Sequence, residues 1–379
     1  MSKDKKKIIF LTGTRADFGK LKSLIEVIEK SEGFEAYIFA TGMHMQKKYG
    51  NTAIEIDKCG YKNIYKFINQ TSETSMDQTL ANTIIGFSSY LKEFEADLIV
   101  IHGDRVEALA GAIAGSLNNI LVAHIEGGEV SGTIDELIRH AVSKMSHVHF
   151  VSNDSAKKRL IQMGELSENV FVIGSPDIDV MVSDSLPSIA EAKERYGIDF
   201  NDYGVLLFHP VTTEVESMEA YSKELVDAVI ESGQNYVVIF PNNDLGSGAI
   251  LKEYERLKNR NNIRIFPSIR FEYFLVLLKH ARFLLGNSSA GIREAPYYGL
   301  PAINIGSRQQ NRANYDDIIN SLHSKKEILE AIEIALKSEF EKLSPFGDGN
   351  SNRLFFEIIS TNSFWDIKKQ KQFMDINLA

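Results

Sequence analysis

The chain has 379 residues, of which 44% are hydrophobic and 25% are charged, and its formal net charge is −9. These proportions exclude a disordered or collagen-like chain, and a single cysteine, Cys59, excludes a framework of intramolecular disulfides. The negative charge argues against non-specific binding of nucleic acid, and no apolar run approaches the roughly 20 residues that span a bilayer. We therefore expect a cytoplasmic protein with no nucleic-acid partner and no membrane partner.

Short apolar runs rich in Ile, Val and Phe alternate with helix-length amphipathic stretches, and this alternation predicts parallel βα units. The first series of predicted strands lies at 7–12, 35–41, 97–102, 120–124, 147–151 and 169–173. The second series lies at 203–208, 235–240, 262–266, 282–286 and 301–305. The pattern predicts an α/β protein with two doubly wound, Rossmann-like domains.

A polar, turn-rich stretch at 176–197 separates the two series and is the best candidate for a linker, with a boundary near Ser183. Residues 1–182 and 183–361 then form the two domains, and 362–379 form a helix that docks against the body. Ligands bind outside the carboxyl ends of strands in such sheets, so two domains facing one another would enclose a deep cleft.

The turn after the first predicted strand is bounded by Gly13 and Gly19 and carries Arg15. We predict that a helix begins near Gly19. Backbone amides and a helix N-terminus bind anions, and Arg15 would add a charged donor. A tight βα turn with a surface arginine explains the motif equally well, because the turn has neither the G-x-G-x-x-G pattern nor a Walker lysine.

Three carboxylates are predicted to lie at one sheet edge: Asp104 and Glu126 each follow a strand, and Asp135 comes shortly afterwards. Crowded carboxylates have pKa values that move apart, so that one holds a proton while another accepts one. Helix capping is the alternative, with Asp104 before a helix at 105–116 and Asp135 in the first turn of a helix at 133–145. Capping does not account for Glu126, which lies in a double-glycine turn.

The second series carries polar groups at two strand ends. Strand 203–208 runs into His209, which precedes any helix cap and favours the role of a donor at the sheet edge. The turn after strand 282–286 carries Ser288 and Ser289 at the opening of a helix, followed by Glu294. Small hydroxyl residues at a helix start favour a phosphate, and a carboxylate one turn later favours a diol such as ribose. A serine N-cap with an exposed glutamate is the less favoured alternative.

We expect no metal and no cofactor. The chain has no H-E-x-x-H motif, and His140, His147 and His149 are better explained by a helix terminus and one strand face. It also has no G-x-S-x-G elbow of the kind that carries a catalytic serine.

Five motifs in this order resemble those of the hydrolysing UDP-N-acetylglucosamine 2-epimerases of sialic acid biosynthesis, and the resemblance covers nearly the whole chain. They begin at Gly13, His102, His124, His209 and Gly286. The family implies a two-domain GT-B fold whose C-terminal helix packs back on the N-terminal domain. It also implies conversion of UDP-N-acetylglucosamine and water to N-acetylmannosamine and UDP.

The resemblance assigns the proton transfers to Asp104, Glu126 and Asp135, with His209 in the same catalytic set. It implies contacts to the diphosphate and its surroundings by Arg15, Ala16, Arg105, His209, Ser288 and Ser289. The remaining implied nucleotide contacts are Glu294 at the ribose, Asn242, the backbone at Ile269 and Phe271 near the uracil, and Arg308 in a G-x-R-Q motif.

Several questions stay open at this point. The resemblance is shared by epimerases that act on a UDP-linked 2,4-diacetamido-2,4,6-trideoxy sugar. A retaining GT-B glycosyltransferase or a non-catalytic sugar-nucleotide sensor would use the same nucleotide pocket, although three clustered carboxylates favour the epimerase. The residues do not say which carboxylate is the acid and which is the base. We expect a homo-oligomer, either a dimer or a tetramer.

Overall fold

The computed structural model describes residues 5–71, 74–131, 133–309 and 318–375. The chain forms two compact units, each built on its own parallel sheet, which confirms the predicted α/β class with two Rossmann-like domains. The first unit is made of Met1–Glu129, Asp135–Ser183 and Pro345–Ala379, and the second of Val130–Ile134 and Asp184–Ser344. Within these described ranges, no helix has both the length and the apolar character needed to cross a membrane.

The sheet of the first unit has seven parallel strands in the spatial order β3-β2-β1-β4-β5-β6-β7. They are β1 (Lys6–Thr12), β2 (Phe34–Ala40), β3 (Ile64–Lys66), β4 (Leu98–His102), β5 (Leu121–Ile125), β6 (Val148–Val151) and β7 (Val170–Val172). The order reverses between β1 and β4, and ligands of doubly wound sheets bind at this switch point.

The helices of the first unit connect these strands and cover the sheet. They are α1 (Arg15–Glu29), α2 (Ala53–Asp57), α3 (Met76–Glu93), α4 (Val106–Leu117), α5 (Ile134–Met145), α6 (Asp154–Gln162), α7 (Pro176–Met181), α14 (Ser351–Ile359) and α15 (Asn362–Trp365).

The sheet of the second unit has six parallel strands in the order β10-β9-β8-β11-β12-β13, with its switch point between β8 and β11. The strands are β8 (Gly204–Leu207), β9 (Tyr236–Ile239), β10 (Ile263–Phe266), β11 (Phe283–Gly286), β12 (Ala302–Ile305) and β13 (Ile318–Ser321). The helices are α8 (Ile189–Tyr196), α9 (Met218–Glu231), α10 (Ser247–Tyr254), α11 (Phe271–Lys279), α12 (Glu294–Tyr298) and α13 (Lys325–Lys337).

All the predicted strands are present, with ends within about one residue of those expected. Central strands of parallel sheets are covered on both faces, so they appear in the sequence as continuous apolar runs. Two strands, β3 and β13, were not predicted. Both lie at sheet edges, and β3 has only three residues, two of them exposed, so neither forms a long apolar run.

The predicted linker at 176–197 is mostly helical, because it contains α7 and α8. Its turn residues are helix starts: Pro176 occupies the first turn of α7, and Ser188 forms a capping box with Glu191 at the start of α8. The connection between these helices is 182–188, and the chain enters the second unit after Ser183.

The prediction of one C-terminal helix over 362–379 is wrong for the described part, since only Asn362–Trp365 is helical up to residue 375, and residues 376–379 lie outside the described ranges. The chain returns to the first unit at Pro345, and α14 is the helix that places Phe355 and Ile359 in the first core. The next helix, α15, ends at Trp365, and the chain continues without helix or strand to residue 375, with Ile367 packed against the first core. The boundary predicted at residue 361 is therefore also wrong.

Candidate active site

The turn after β1 is held by Asp17. Thr14 caps α1, and its hydroxyl accepts a hydrogen bond from the Asp17 amide at 3.2 Å. The Asp17 carboxylate accepts from the amides of Gly13 at 2.9 Å and Thr14 at 2.8 Å. This reciprocal capping box starts the helix at Arg15, so the predicted start near Gly19 is wrong.

Two predicted anion ligands of the first unit, Arg15 and Arg105, lie beside acidic side chains. Nη2 of Arg15 is 3.8 Å from a carboxylate oxygen of Glu55, and Nε of Arg105 is 3.7 Å from one of Glu107. Both arginine side chains are partly exposed, and Ala16 is exposed in the first turn of α1. The arginines are therefore positioned at the carboxyl ends of β1 and β4 while remaining accessible to a ligand.

Glu126 lies directly after β5 with a left-handed backbone conformation, φ 64°, which is uncommon for a residue other than glycine. The Ser175 hydroxyl donates a hydrogen bond to one carboxylate oxygen of Glu126. The other oxygen is 3.0 Å from Nε2 of His102 and 3.9 Å from Nζ of Lys20. This buried carboxylate is thus held by a hydroxyl, an imidazole and an ammonium group.

Lys20 is shared between Glu126 and a second acid. Its Nζ lies 3.0 Å from Asp177, which is fully buried at the start of α7. A buried ammonium group requires such a partner, because an unpaired charge in the interior is costly. Asp177 therefore fixes the lysine that faces Glu126.

Asp104 accepts a hydrogen bond from Nη2 of Arg139, a buried arginine on α5. Burial alone would lower the pKa of the Arg139 guanidinium, but the carboxylates of Asp104, Glu129 and Asp135 outweigh burial and raise it above its ordinary value. The structure therefore brings Asp104 and Asp135 to one cation. Asp104 does not cap α4, which has no side-chain cap, whereas Asp135 lies in the first turn of α5 as expected.

Sequence reasoning missed the groups that hold these acids. Lys20, Arg139 and Ser175 received no role, and His102 was noted only as part of a motif. The spacing of Asp135 and Arg139 by four residues on a predicted helix does place them on one face and was a usable signal. No sequence signal links Ser175 to Glu126, because the two are 49 positions apart.

In the second unit, the side chain of Asn287 links the end of β11 to the end of β8 by two hydrogen bonds. Its side-chain oxygen accepts from the His209 amide at 2.7 Å, and its side-chain nitrogen donates to the His209 carbonyl at 2.8 Å. The amide of Asn242 donates to Nδ1 of His209 at 3.0 Å. A neutral His209 therefore carries its proton on Nε2, as the predicted role of a hydrogen-bond donor requires.

The glycine-serine turn approaches the neighbouring strand closely. Gly286 has φ 139°, and a Cβ there would lie 2.1 Å from the carbonyl oxygen of Leu207, so only glycine fits. Ser288 caps the short 3-10 helix that contains Ser289, accepting from the Ala290 amide at 3.2 Å. Nη1 of Arg308 donates to the Asn287 carbonyl at 3.3 Å, so the G-x-R-Q motif supports the same turn.

The other predicted nucleotide ligands, Glu294, Ile269 and Phe271, lie at the starts of two helices of the second unit. Glu294 is the buried first residue of α12, and Ile269 and Phe271 lie just before and at the start of α11 with buried side chains. Because the side chains of Ile269 and Phe271 are apolar, only the backbone groups of these two residues could contact a polar ligand.

Comparison with known proteins gives a consistent result. The family described as UDP-N-acetylglucosamine 2-epimerase matches residues 26–360. A UDP-N-acetylglucosamine 2-epimerase of Neisseria meningitidis serogroup B is 49% identical, over 98% of this chain and 100% of its own. A Legionella pneumophila UDP-N,N'-diacetylbacillosamine 2-epimerase (hydrolyzing) is 34% identical, over 94% of this chain and 96% of its own. The Escherichia coli polysialic acid biosynthesis protein P7 is 33% identical, over 98% of this chain and 97% of its own.

The fold is also that of a solved enzyme. The crystal structure of Methanocaldococcus jannaschii UDP-GlcNAc 2-epimerase in complex with UDP-GlcNAc and UDP matches with a TM-score of 0.79 and 22% identity, covering 93% of this chain and 99% of that one. The two Rossmann-like units are thus those of the GT-B-like fold. With a family match over most of its length and relatives above 30% identity, the chain belongs to the UDP-N-acetylglucosamine 2-epimerase family.

Proposed function

We propose that this chain is a hydrolysing epimerase that converts UDP-N-acetylglucosamine and water to N-acetylmannosamine and UDP, the first step of sialic acid biosynthesis. The observation that carries the proposal is the group of acids at the ends of β4 and β5, each acid held by a basic or hydroxyl partner. Such carboxylates are suited to proton transfer, and the reaction needs only water as a co-reactant.

Carbon 2 of the sugar has no neighbouring carbonyl, so its proton is too weakly acidic for simple removal. In the α-linked chair this proton and the UDP on carbon 1 are axial on opposite faces. A carboxylate takes the proton, a double bond forms between carbons 1 and 2, and the carbon–oxygen bond to UDP breaks with its electron pair leaving on UDP. The anti arrangement makes this elimination possible without a cofactor.

The glycal then takes a hydroxyl group from water at carbon 1 and a proton at carbon 2. When that proton arrives on the face opposite to the one deprotonated, the product has the manno configuration. One carboxylate must accept a proton and another must donate one. We propose that Asp104, Glu126 and Asp135 supply these groups, with His209 in the same catalytic set.

The leaving UDP gains negative charge as the bond breaks, and oriented cations and amide dipoles stabilise such charge. We propose Arg15 with Ala16, and Arg105, as the contacts of the first unit. The proposed contacts of the second unit are His209, Asn242, Ile269, Phe271, Ser288, Ser289, Glu294 and Arg308. Positive guanidinium groups and the opening of a short helix suit a diphosphate.

One comparison suggests a second candidate substrate, because the Legionella relative is named for a UDP-linked diacetamido sugar. The 49% identity to the Neisseria UDP-N-acetylglucosamine 2-epimerase, against 34% to the Legionella enzyme, favours UDP-N-acetylglucosamine. Specificity constants for the two sugar nucleotides, measured by UDP release, decide between them.

The test is incubation with UDP-N-acetylglucosamine in deuterated water, followed by proton NMR. We expect free N-acetylmannosamine with deuterium at carbon 2, together with an equal amount of UDP. A UDP-linked sugar epimerised without UDP release would contradict hydrolysis, and release of free sugar without deuterium would contradict elimination. Unchanged substrate would contradict the proposed activity.

A further inference from the structure

Glu129 is a fourth carboxylate beside the proposed catalytic acids, with no role so far. Its side chain is buried, and one carboxylate oxygen accepts a hydrogen bond from the Ser152 hydroxyl at 2.7 Å. Its backbone carbonyl accepts from Nη1 of Arg139 at 3.1 Å. The same guanidinium donates through Nη2 to Asp104. Arg139 therefore connects Glu129 to Asp104 by hydrogen bonds from its two terminal nitrogens.

This sharing matters because an arginine that serves one carboxylate alone makes that carboxylate a poor base. The positive charge favours the ionised form and lowers the proton affinity of the carboxylate. Further negative charges beside the same guanidinium, which here include Glu129 and Asp135, offset part of this effect. A group that must exchange a proton works best when its pKa lies near the working pH, so the offset would favour proton transfer by Asp104.

We propose that Glu129 is a positioning residue that acts through Arg139, sharing the guanidinium with Asp104 so that Asp104 is held in place and still able to exchange a proton. This role rests on the proposed epimerase function. Ser152 in turn holds the Glu129 carboxylate, while the backbone carbonyl of Glu129 accepts from Arg139 and Arg139 donates to the partly buried Asp104.

Other charged or titratable groups face this cluster from the elements packed around it. They are His102 before the Asp104 turn, His124 on β5, Glu126 after β5, Asp135 on α5, His149 on β6, Arg159 on α6, whose Nη1 donates to the Gly128 carbonyl at 3.2 Å, and Lys20 on α1. A test must therefore change the charge of Glu129 alone.

The variant Glu129→Gln removes the charge and keeps the shape. Loss of a negative charge lowers the pKa of nearby carboxyl groups, by roughly half to one unit at this range. We expect the carbon-13 carboxyl signal of Asp104, assigned by its loss in Asp104→Asn, to titrate at lower pH. We also expect kcat to fall about tenfold with KM changed less than about twofold, and the kcat limb set by Asp104 to move to lower pH.

Two further variants separate charge from packing. Glu129→Asp keeps the charge and should retain the pH profile. Glu136→Gln removes a partly exposed carboxylate on α5, 3.5 Å from His140, and should leave both the titration and the pH profile unchanged. The proposal is overturned if Glu129→Gln leaves the Asp104 titration and the kcat profile in place, or if Glu136→Gln shifts them as much.

The NMR titration needs no activity, so it decides the role of Glu129 separately from the proposed function. An inactive wild-type protein would contradict the epimerase activity, whereas an unmoved Asp104 titration would contradict the role of Glu129. If Glu129→Gln does not fold, the wild-type carboxyl signals still decide. The proposal requires Glu129 to be ionised at pH 7, and a protonated Glu129 would overturn it.

Discussion

The two sheets have the same strand order around their switch points, yet their strand ends carry different chemistry. At β1, β4 and β5 the first unit places ionic groups, including Lys20, Asp104, Glu126 and Arg139. At β8 and β11 the second unit is organised by the neutral amide of Asn287. The scaffold therefore fixes where a ligand binds, and the turns decide what each site does.

The difference has a physical consequence for each unit. Buried charges of the first unit need partners from several helices, so one substitution leaves another charge unpaired. The turn of the second unit relies on close backbone approach at Gly286 and on the hydrogen bonds of the neutral Asn287 amide to His209. We expect chemistry and pH sensitivity to depend on the first unit, and nucleotide affinity to depend more on the second, which carries most of the proposed nucleotide contacts.

The largest expected effect is loss of turnover when a proposed catalytic acid becomes an amide. Glu126→Gln and Asp104→Asn keep side-chain size but remove proton transfer, so kcat should fall by roughly 10² or more. The measurement is the steady-state rate of UDP release. Glu95→Gln, at an exposed position, is the matched control and should release UDP at the wild-type rate. Near-normal turnover in both active-site variants would remove the proposed acid-base role.

The next effect tests the backbone of the second unit. Gly286→Ala places a Cβ 2.1 Å from a carbonyl oxygen at a positive φ, and should lower the free energy of unfolding by about 3 kcal/mol. Gly248→Ala, in α10 with no atom within 4 Å of the added Cβ, should be neutral or stabilising. Urea denaturation measures both variants. Equal stability of the two would contradict the close approach at Gly286.

A third prediction concerns the C-terminal segment of the first unit. Nζ of Lys371 donates to the carbonyls of Ser143, Lys144 and Ser146, and lies 2.6 Å from Glu165. Burial lowers the pKa of Lys371 to about 8 despite the opposing effect of Glu165.

Lys371→Met leaves Glu165 and the end of α5 without this cation, and should cost about 2 kcal/mol of unfolding free energy. Lys368→Met, at an exposed position, is the control and should change stability little. The fluorescence of Trp365, which stacks on Phe34 in the first unit, reports the transition in urea. Equal transitions in both variants would show that Lys371 does not anchor the segment.

The smallest effect is a dependence of first-unit stability on pH. Burial lowers the pKa of His44 to about 4 and that of His124 to about 3. The folded protein then binds fewer protons than the unfolded chain below pH 6.5, so stability falls as pH decreases. Between pH 6.5 and 5.5 each such histidine should cost about 1 kcal/mol.

Trp365 fluorescence in urea at these two pH values measures that loss. The variant His44→Asn will be less stable overall, but its stability should depend less on pH, by about 1 kcal/mol over the same interval. An identical pH dependence of stability in the variant and the wild-type protein would show that His44 has the same pKa in the folded protein and in the unfolded chain.

The sequence predicted the central strands and the residues that follow them, because both come from contiguous segments of the chain. It did not predict the partners that hold the acids. Ser175 reaches Glu126 from the start of α7, and Lys20 does so from α1, so these contacts exist only once helices pack beside the sheet. The edge strands were missed because short, half-exposed segments have no apolar run.

The start of α1 shows a different limit. The glycine at position 19 suggested that the turn continued to that point, but the reciprocal hydrogen bonds of Thr14 and Asp17 start the helix four residues earlier. In the C-terminal segment the prediction was a helix over 362–379, whereas the described chain after Trp365 is not helical and Lys371 donates to backbone carbonyls at the end of α5.

The division of roles between the two units is tested most directly by calorimetric titration with UDP of two variants, Glu126→Gln and Glu294→Ala. The account predicts that Glu126→Gln binds UDP within about twofold of the wild-type protein, although its turnover is lost. Glu294→Ala should weaken UDP binding about tenfold or more, since a hydrogen bond to a charged acceptor contributes roughly 1.5 to 3 kcal/mol. Weakened binding in Glu126→Gln together with wild-type affinity in Glu294→Ala would contradict it.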